Sequence, residues 1–287
     1  MDISTFIAHR KTLAADSGDI AYAEFGDGGA DSPVALFVHG LGTNGALWRH
    51  VIERLPATTR CVAIDLPGHG ATPPRDDNSV AALAGTVTEL CDGLGLGQVD
   101  LIGNDTGGAV TQIFAARHPG RLRTLTLTNC DTNGNFPPPE FDPVIELARQ
   151  GQLAESLVAI VSDPAAWRGS PLVGGYEHPE NIPDEALGCY FEPIGGTIEK
   201  ARTFERTLAA LDPAYLADID GALRALTVPT LIAWGTGDEV FGLKWAQQLR
   251  ETLPGARDIV EVEGAKVFFP EERPGELVPH LRSLWGR

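Results

Sequence analysis

Asp105 stands in the run Leu101-Ile102-Gly103-Asn104-Asp105-Thr106-Gly107-Gly108, where a positioned carboxylate could attack an electrophilic carbon or move a proton. Residues 99–102 read as a strand and residues 109–117 as a helix, so the acid falls on the turn between them. A sharp strand-to-helix turn needs small residues on either side of its central one, and Gly103 and Gly107 supply them. Such a turn holds the central side chain out above the C-terminal edge of a sheet, where open α/β sheets bind ligands. The backbone N–H of Thr106, at the helix N-terminus, can stabilise negative charge beside it. An aspartate ahead of a helix can also be a plain N-cap, and two neighbouring segments decide for chemistry. Val38-His39-Gly40-Leu41-Gly42 directly follows a strand, and a loop of this kind, with His39 in it, supplies a second backbone donor from Leu41 to an oxyanion hole. Asp65-Leu66-Pro67-Gly68-His69-Gly70 follows the next strand.

The elements that must position these residues alternate along the chain. Residues 11–15, 20–25, 34–38, 61–64, 99–102, 122–128, 230–234 and 258–262 read as strands, with helical patterns over 46–55, 81–94, 109–117 and 243–253. Most of the later strands are followed by a helix, the pattern of a mostly parallel sheet covered by helices. The alternation stops between about Asn133 and Leu226, where helical segments such as 143–157 and 198–211 occur without a strand. Residues 136–226 are therefore read as a helical cap inserted after the sixth strand into a core of residues 1–135 and 227–287.

Composition bounds the partners. The chain has 287 residues, 43% of them hydrophobic, and a formal net charge of −17. That length and apolar content suit a sizeable core, and the acidic balance argues against a nucleic-acid backbone or an anionic membrane surface. No apolar run approaches the roughly 20 residues that span a bilayer, and Met1-Asp2-Ile3-Ser4-Thr5 has no signal-peptide character. Cys61, Cys91, Cys130 and Cys189 are widely spaced and read as free thiols. No metal-ligand cluster and no phosphate-binding glycine loop occurs, so no cofactor is expected. The expected partner is a small-molecule substrate and the expected compartment the cytoplasm.

With the elbow Gly103-Asn104-Asp105-Thr106-Gly107, the loop Val38-His39-Gly40-Leu41-Gly42 and the turn after residue 64, the chain resembles the α/β-hydrolase superfamily. The aspartate at the elbow places the resemblance near its aspartate-nucleophile branch, which holds epoxide hydrolases and haloalkane dehalogenases. The resemblance covers residues 8–135 and 227–287; the cap carries no matching motif. It implies an α/β-hydrolase fold with an eight-stranded sheet and a two-step reaction: the carboxylate forms an ester, and a histidine oriented by an acid activates water to break it. Asp238, in Ala233-Trp234-Gly235-Thr236-Gly237-Asp238, falls at the position of that acid, and Asp131 is a second candidate. The histidine is where the sequence departs. Counting back from Glu271-Glu272-Arg273-Pro274 puts Val267 in its place and Lys266 in the preceding glycine position. Lys266 either pairs with Asp105 or Asp238, or donates a proton to a developing alkoxide, or extends outward. Among the other histidines, His178 in the cap could overhang a pocket.

Absences sort the branch. Dehalogenases bind halide through an aromatic after the nucleophile and a polar residue after the His-Gly pair, and here those positions hold Thr106 and Leu41. Epoxide hydrolases hold the epoxide oxygen with cap tyrosines, a role open to Tyr176, Tyr190 and Tyr215, with Tyr190 the first choice; Trp167 is a pocket-lining candidate. The resemblance thus implies an epoxide-hydrolase-like enzyme for a small or medium apolar substrate. Two alternatives stay open: a lyase, isomerase or cyclase using Asp105 as acid–base, and a ligand-binding pseudoenzyme without the histidine.

Overall fold

The computed structural model describes residues 1–29 and 32–286. Eight strands, β1 (Arg10–Ala15), β2 (Gly18–Phe25), β3 (Val34–Val38), β4 (Arg60–Ile64), β5 (Val99–Asp105), β6 (Leu122–Cys130), β7 (Thr230–Gly235) and β8 (Ala256–Val262), form one sheet. Their order across the sheet is β1-β2-β4-β3-β5-β6-β7-β8. β2 runs antiparallel to both of its neighbours, and the remaining pairs are parallel. The buried centre follows from composition. β3 is Val-Ala-Leu-Phe-Val with every residue buried, the continuous apolar run of a strand covered on both sides. All eight expected strands are present, with ends that differ by a few residues.

Between β6 and β7 the expected helical insert is made of helices and short 3-10 turns. The expected helix over 143–157 is two, Asp142–Arg149 and Ala154–Val161, because the chain turns between them through Gly151 at φ +68°. Helix Ile198–Ala209 starts at Thr197, whose side chain accepts from the Lys200 N–H, and packs against both of these and against helix Asp184–Gly195. Asp184–Gly195 and the C-terminal helix Pro274–Trp285 have no counterpart in the sequence reading, since each contains a proline, Pro193 and Pro279. An interior proline costs about 3 kcal/mol. In the C-terminal helix Leu277, Val278, Leu281 and Trp285 are buried, at about 1.5–3 kcal/mol per side chain, which outweighs it.

Parallel register gathers the strand ends. Val38 lies beside Gly103, Asp105 beside Cys130, and Thr128 beside Ala233. The ends of β3, β5, β6 and β7 and the segments that follow them therefore lie at one edge of the sheet, carrying His39 to Leu41, Asp105, Asn129 to Asp131 and Asp238. Among the described residues no helix is long and apolar enough to cross a membrane.

Candidate active site

Asp105 ends β5 and precedes helix Thr106–Arg117. Its φ of +54° and ψ of −134° make it the one non-glycine residue with positive φ among the described residues. That conformation costs of order 1–3 kcal/mol and persists only where the surroundings enforce it. Its side chain makes no capping hydrogen bond, so it is not an ordinary N-cap. The glycines do the enforcing. A Cβ on Gly103 would stand 2.6 Å from the Gly107 carbonyl oxygen and 2.6 Å from Thr111 Oγ1. On Gly107 it would strike the backbone carbonyls of Val38 and His39, and on Gly40 it would strike the Asp105 carboxyl itself. Gly40→Ala is accordingly expected to push the carboxyl off its position. The expected outcome is about a 10²-fold loss in reaction of Asp105 with an electrophile, against a stability cost of about 1–3 kcal/mol, read by adduct formation and thermal melting.

The backbone N–H groups of Thr106 and Leu41 both act on the Asp105 carboxyl and favour its ionised form. Burial and the charge of Asp238 oppose them, burial most, and the balance raises its pKa to about 7. His39 and His69 hold the loop that presents Leu41. The Nε2 of His39 accepts from the Leu66 N–H at 2.9 Å, which leaves Nδ1 to donate to the Gly40 carbonyl at 2.7 Å. His69 Nε2 accepts from the Gly42 N–H at 3.3 Å, and its ring packs edge-on against Phe204 of the helical insert. Burial pushes both imidazoles below the usual histidine range, His69 to about 4. Both are neutral at pH 7 with both ring nitrogens engaged, so His39 shapes the donor loop.

Asp238 is buried and accepts from the Val240 and Phe241 N–H groups, each at 2.9 Å, and from Asn129 Nδ2 at 3.1 Å. Burial still raises its pKa, and the charge of Lys266 works in the other direction. Asn129 is a positioning residue for Asp238. The register between β5 and β6 slips so that Asn104 faces Thr128 and Asp105 faces Cys130. Asn129 is left without a partner on β5, and its amide bridges to the end of β7, taking the Gly235 N–H at 2.6 Å and donating to the Gly235 carbonyl at 3.0 Å.

Residue 267 is tied to both acids through its loop. Asn104 Nδ2 donates to the Val267 carbonyl at 2.8 Å, one residue before Asp105, and the Gly237 N–H donates to the Ala265 carbonyl at 2.9 Å, one residue before Asp238. The Val267 side chain is buried and packs against Gly175 of the insert, where a Cβ would strike its Cγ1. Lys266 is half-buried and acts on Asp238 through its charge; among the described residues it makes no ion pair.

The aromatic candidates of the insert lie elsewhere. Tyr176 and Tyr190 are buried and donate to opposite oxygens of Glu271, at 2.7 and 3.1 Å. Glu271 also forms a buried ion pair with Arg49, which donates to the Tyr190 hydroxyl at 2.9 Å. Trp167 donates to the Val161 carbonyl at 3.0 Å and packs edge-on against Phe191 inside the insert. Tyr215 is partly buried against the core. His178 is exposed, with Nδ1 3.2 Å from Glu180. A cavity of about 250 Å³ borders Arg49, Glu271 and His178 and is not lined by Asp105. The Arg49–Glu271 network, unread from the sequence, joins the helix Arg49–Arg54 to the insert. Glu271→Gln leaves the Arg49 charge buried without its counter-ion, and about 3–5 kcal/mol of stability is expected to be lost. Thermal melting checks this, and a Tm within about 2 °C of the parent would contradict it.

Residues 33–272 match the family described as alpha/beta hydrolase fold. Epoxide hydrolase 1 of Caenorhabditis elegans is 24% identical over 274 residues, 90% of this chain and 66% of that protein. The chain thus spans just under two thirds of that relative. Cis-3-alkyl-4-alkyloxetan-2-one decarboxylase of Xanthomonas campestris pv. campestris is 25% identical over 93% of each chain. Among solved structures, haloalkane dehalogenase DbeA from Bradyrhizobium elkani superimposes with a TM-score of 0.80 at 20% identity, covering 96% of this chain and 97% of that one. Similarity at that identity speaks for the fold.

Proposed function

The chain belongs to the alpha/beta hydrolase fold family, and on that premise we propose that Asp105 is its reacting carboxyl and that it opens an epoxide-like electrophile of small or medium apolar character. The observation that carries this reading is the strained elbow, whose carboxyl is favoured in its ionised form by the N–H groups of Thr106 and Leu41. In an acyl-transfer site those donors would await the substrate's carbonyl oxygen. Here they act on the protein's own carboxyl, which can attack through one of its oxygens. Attack of that oxygen on an epoxide carbon breaks the ring C–O bond and leaves an alkyl ester of Asp105 and an alkoxide that takes a proton. The ester carbonyl then sits on the two donors, where water attack would generate an oxyanion. The C. elegans relative, named an epoxide hydrolase, supports the substrate class. The helices between β6 and β7 are read as the cap over this site.

Breaking the ester is the demanding step. His39 and His69 have both ring nitrogens engaged, His178 is at the surface, and Val267 occupies the histidine position. Ester formation is therefore expected to outrun ester hydrolysis. Incubation with a panel of simple epoxides, followed by intact-protein and peptide mass measurement, should find a stable adduct on Asp105. A panel that yields neither adduct nor diol would overturn the reading.

A second reading is favoured by the pKa of about 7 at Asp105, which suits proton transfer near neutral pH. Here Asp105 serves as acid–base in a reaction without net water addition. The Xanthomonas relative, named a decarboxylase of an oxetanone, is an example in which the named reaction is not a hydrolysis. Solvent deuterium in the product without oxygen from labelled water would select this reading, and labelled oxygen in the product would exclude it.

A further inference from the structure

Asn44 fastens the loop that presents Leu41 to the helical insert, and neither reaction above uses that attachment. Asn44 is fully buried and caps the 3-10 turn Gly45–Trp48, its Oδ1 accepting from the Ala46 N–H at 3.0 Å. Capping uses only the oxygen of the amide. The Nδ2 reaches across to helix Asp184–Gly195 and donates to the Cys189 carbonyl at 2.8 Å. Pro193 makes that acceptor available. In an α-helix the N–H of residue 193 donates to the carbonyl of residue 189, and a proline has no N–H. The insert thus presents a backbone carbonyl that residue 193 cannot serve, and a core side chain serves it instead.

From Asn44 the contacts run back along the loop to Asp105. The adjacent Thr43 donates through Oγ1 to the Gly40 carbonyl at 3.3 Å, and His39 Nδ1 donates to the same oxygen at 2.7 Å. That carbonyl and the Leu41 N–H belong to one planar trans peptide unit and point in opposite directions. Holding the oxygen therefore aims the N–H. Gly40 lies against the Asp105 carboxyl, which a Cβ there would strike. A second link runs in parallel. His69 accepts from the Gly42 N–H, and its ring meets Phe204 of helix Ile198–Ala209 with 5.7 Å between centroids.

We propose that Asn44 is a positioning residue that couples the seating of the helical insert to the aim of the Leu41 N–H. With helix Asp184–Gly195 docked, the Gly40–Leu41 peptide is held in place beside Asp105. With that helix lifted, the loop loses its anchor and the donor is no longer aimed. Closure of the insert over a substrate then completes the donor pair, so binding assembles the site that reacts. Asn44 acts through the loop and does not touch the reacting atoms. The proposal rests on the reading of Asp105 as the reacting carboxyl, and its first measurement needs no substrate, so the two can fail separately.

The experiment follows the Leu41 amide by NMR in the full chain carrying isotope-labelled leucine, with the signal assigned by its loss in Leu41→Met. The parent is compared with Asn44→Ser, Pro193→Ala and the double variant. Serine still caps a turn but is too short to reach Cys189. In Asn44→Ser the Leu41 amide signal should shift and its hydrogen exchange should quicken by about tenfold or more. Capture of a simple epoxide by Asp105 should slow by about tenfold or more in the same variant. Pro193→Ala supplies the missing N–H to the Cys189 carbonyl. In that background Asn44→Ser should change the unfolding equilibrium constant about threefold to tenfold less than it does in the parent. The Leu41 changes should persist in the double variant, because the helix is repaired while the loop stays untied. A Leu41 amide that keeps its parent shift and exchange in Asn44→Ser would overturn the proposal. A Leu41 amide that returns to them in the double variant would also overturn it, leaving Asn44 as a structural contact. If Asn44→Ser does not fold, Thr43→Val cuts the same path within the core, and an unmoved Leu41 amide there overturns it equally. A Leu41 amide that responds in a chain capturing no epoxide would keep the coupling and discard the epoxide.

Discussion

Asp105→Asn is expected to abolish covalent capture of an epoxide, by about 10³-fold or more, while making the protein more stable. The amide cannot attack carbon as a carboxylate does, and the loss should appear in the rate of adduct formation. The stability gain follows from the ionisation of the native residue. The folded chain holds the Asp105 proton to about pH 7, whereas an unfolded aspartate releases it near 4. Between those limits the folded state binds more protons than the unfolded one, so this residue costs stability as pH rises from about 4 to about 7. Removing it should give a gain of order 1–3 kcal/mol at pH 8 that shrinks toward pH 4. Asparagine also accepts positive φ better than most residues, so the elbow conformation is retained. Thermal melts at both pH values, run beside Asp105→Ala, check the sign. A variant less stable than the parent at pH 8 would show that the carboxylate is well solvated in the folded protein and that the elbow is not strained by its charge.

Val267→His is the converse experiment, and its effect should be a gain. The loop at residue 267 is fastened to Asn104 on the Asp105 side and to Gly237 on the Asp238 side. The loop that carries residue 267 is therefore tied to the segments that hold both acids. An imidazole there could accept the orienting charge of Asp238 and activate water against an Asp105 ester, a contribution of about 10²–10⁴-fold in general-base catalysis. The adduct that accumulates in the parent should then turn over to diol. The cost is packing, since Val267 is buried against Gly175 and Phe268 packs on the same glycine. Exchanging a β-branched apolar side chain for a polar ring there should cost about 1–3 kcal/mol. Adduct lifetime by mass measurement and Tm should be read together. A folded variant whose adduct lasts as long as the parent's would place the missing step elsewhere than in the imidazole.

What was legible in the sequence was local. The elbow could be read because its requirements lie within five residues: small flanks at Gly103 and Gly107, and a helix start at Thr106. The eight strands could be read because buried strands are short apolar runs between turn residues, and the helical insert because that alternation stops. Two helices were missed where a proline contradicted the local pattern and burial against distant elements overruled it.

Tertiary structure decided everything that depended on residues far apart in the chain. Tyr176 and Tyr190 have the composition of substrate-binding tyrosines, and their hydroxyls are instead committed to Glu271, which meets Arg49 across 222 residues. Asn129 and Asp131 look alike as polar residues after a strand. A slip in register turns Asn129 to Asp238, while Asp131 is buried with its backbone N–H at the Asp105 carbonyl. The physical reason is the same in both cases. A side chain's chemistry is set by what solvates it, and neighbours brought in by sheet order and by the insert replace water there. The sequence by itself determined that an aspartate is held at the elbow; only the fold decided which groups surround it.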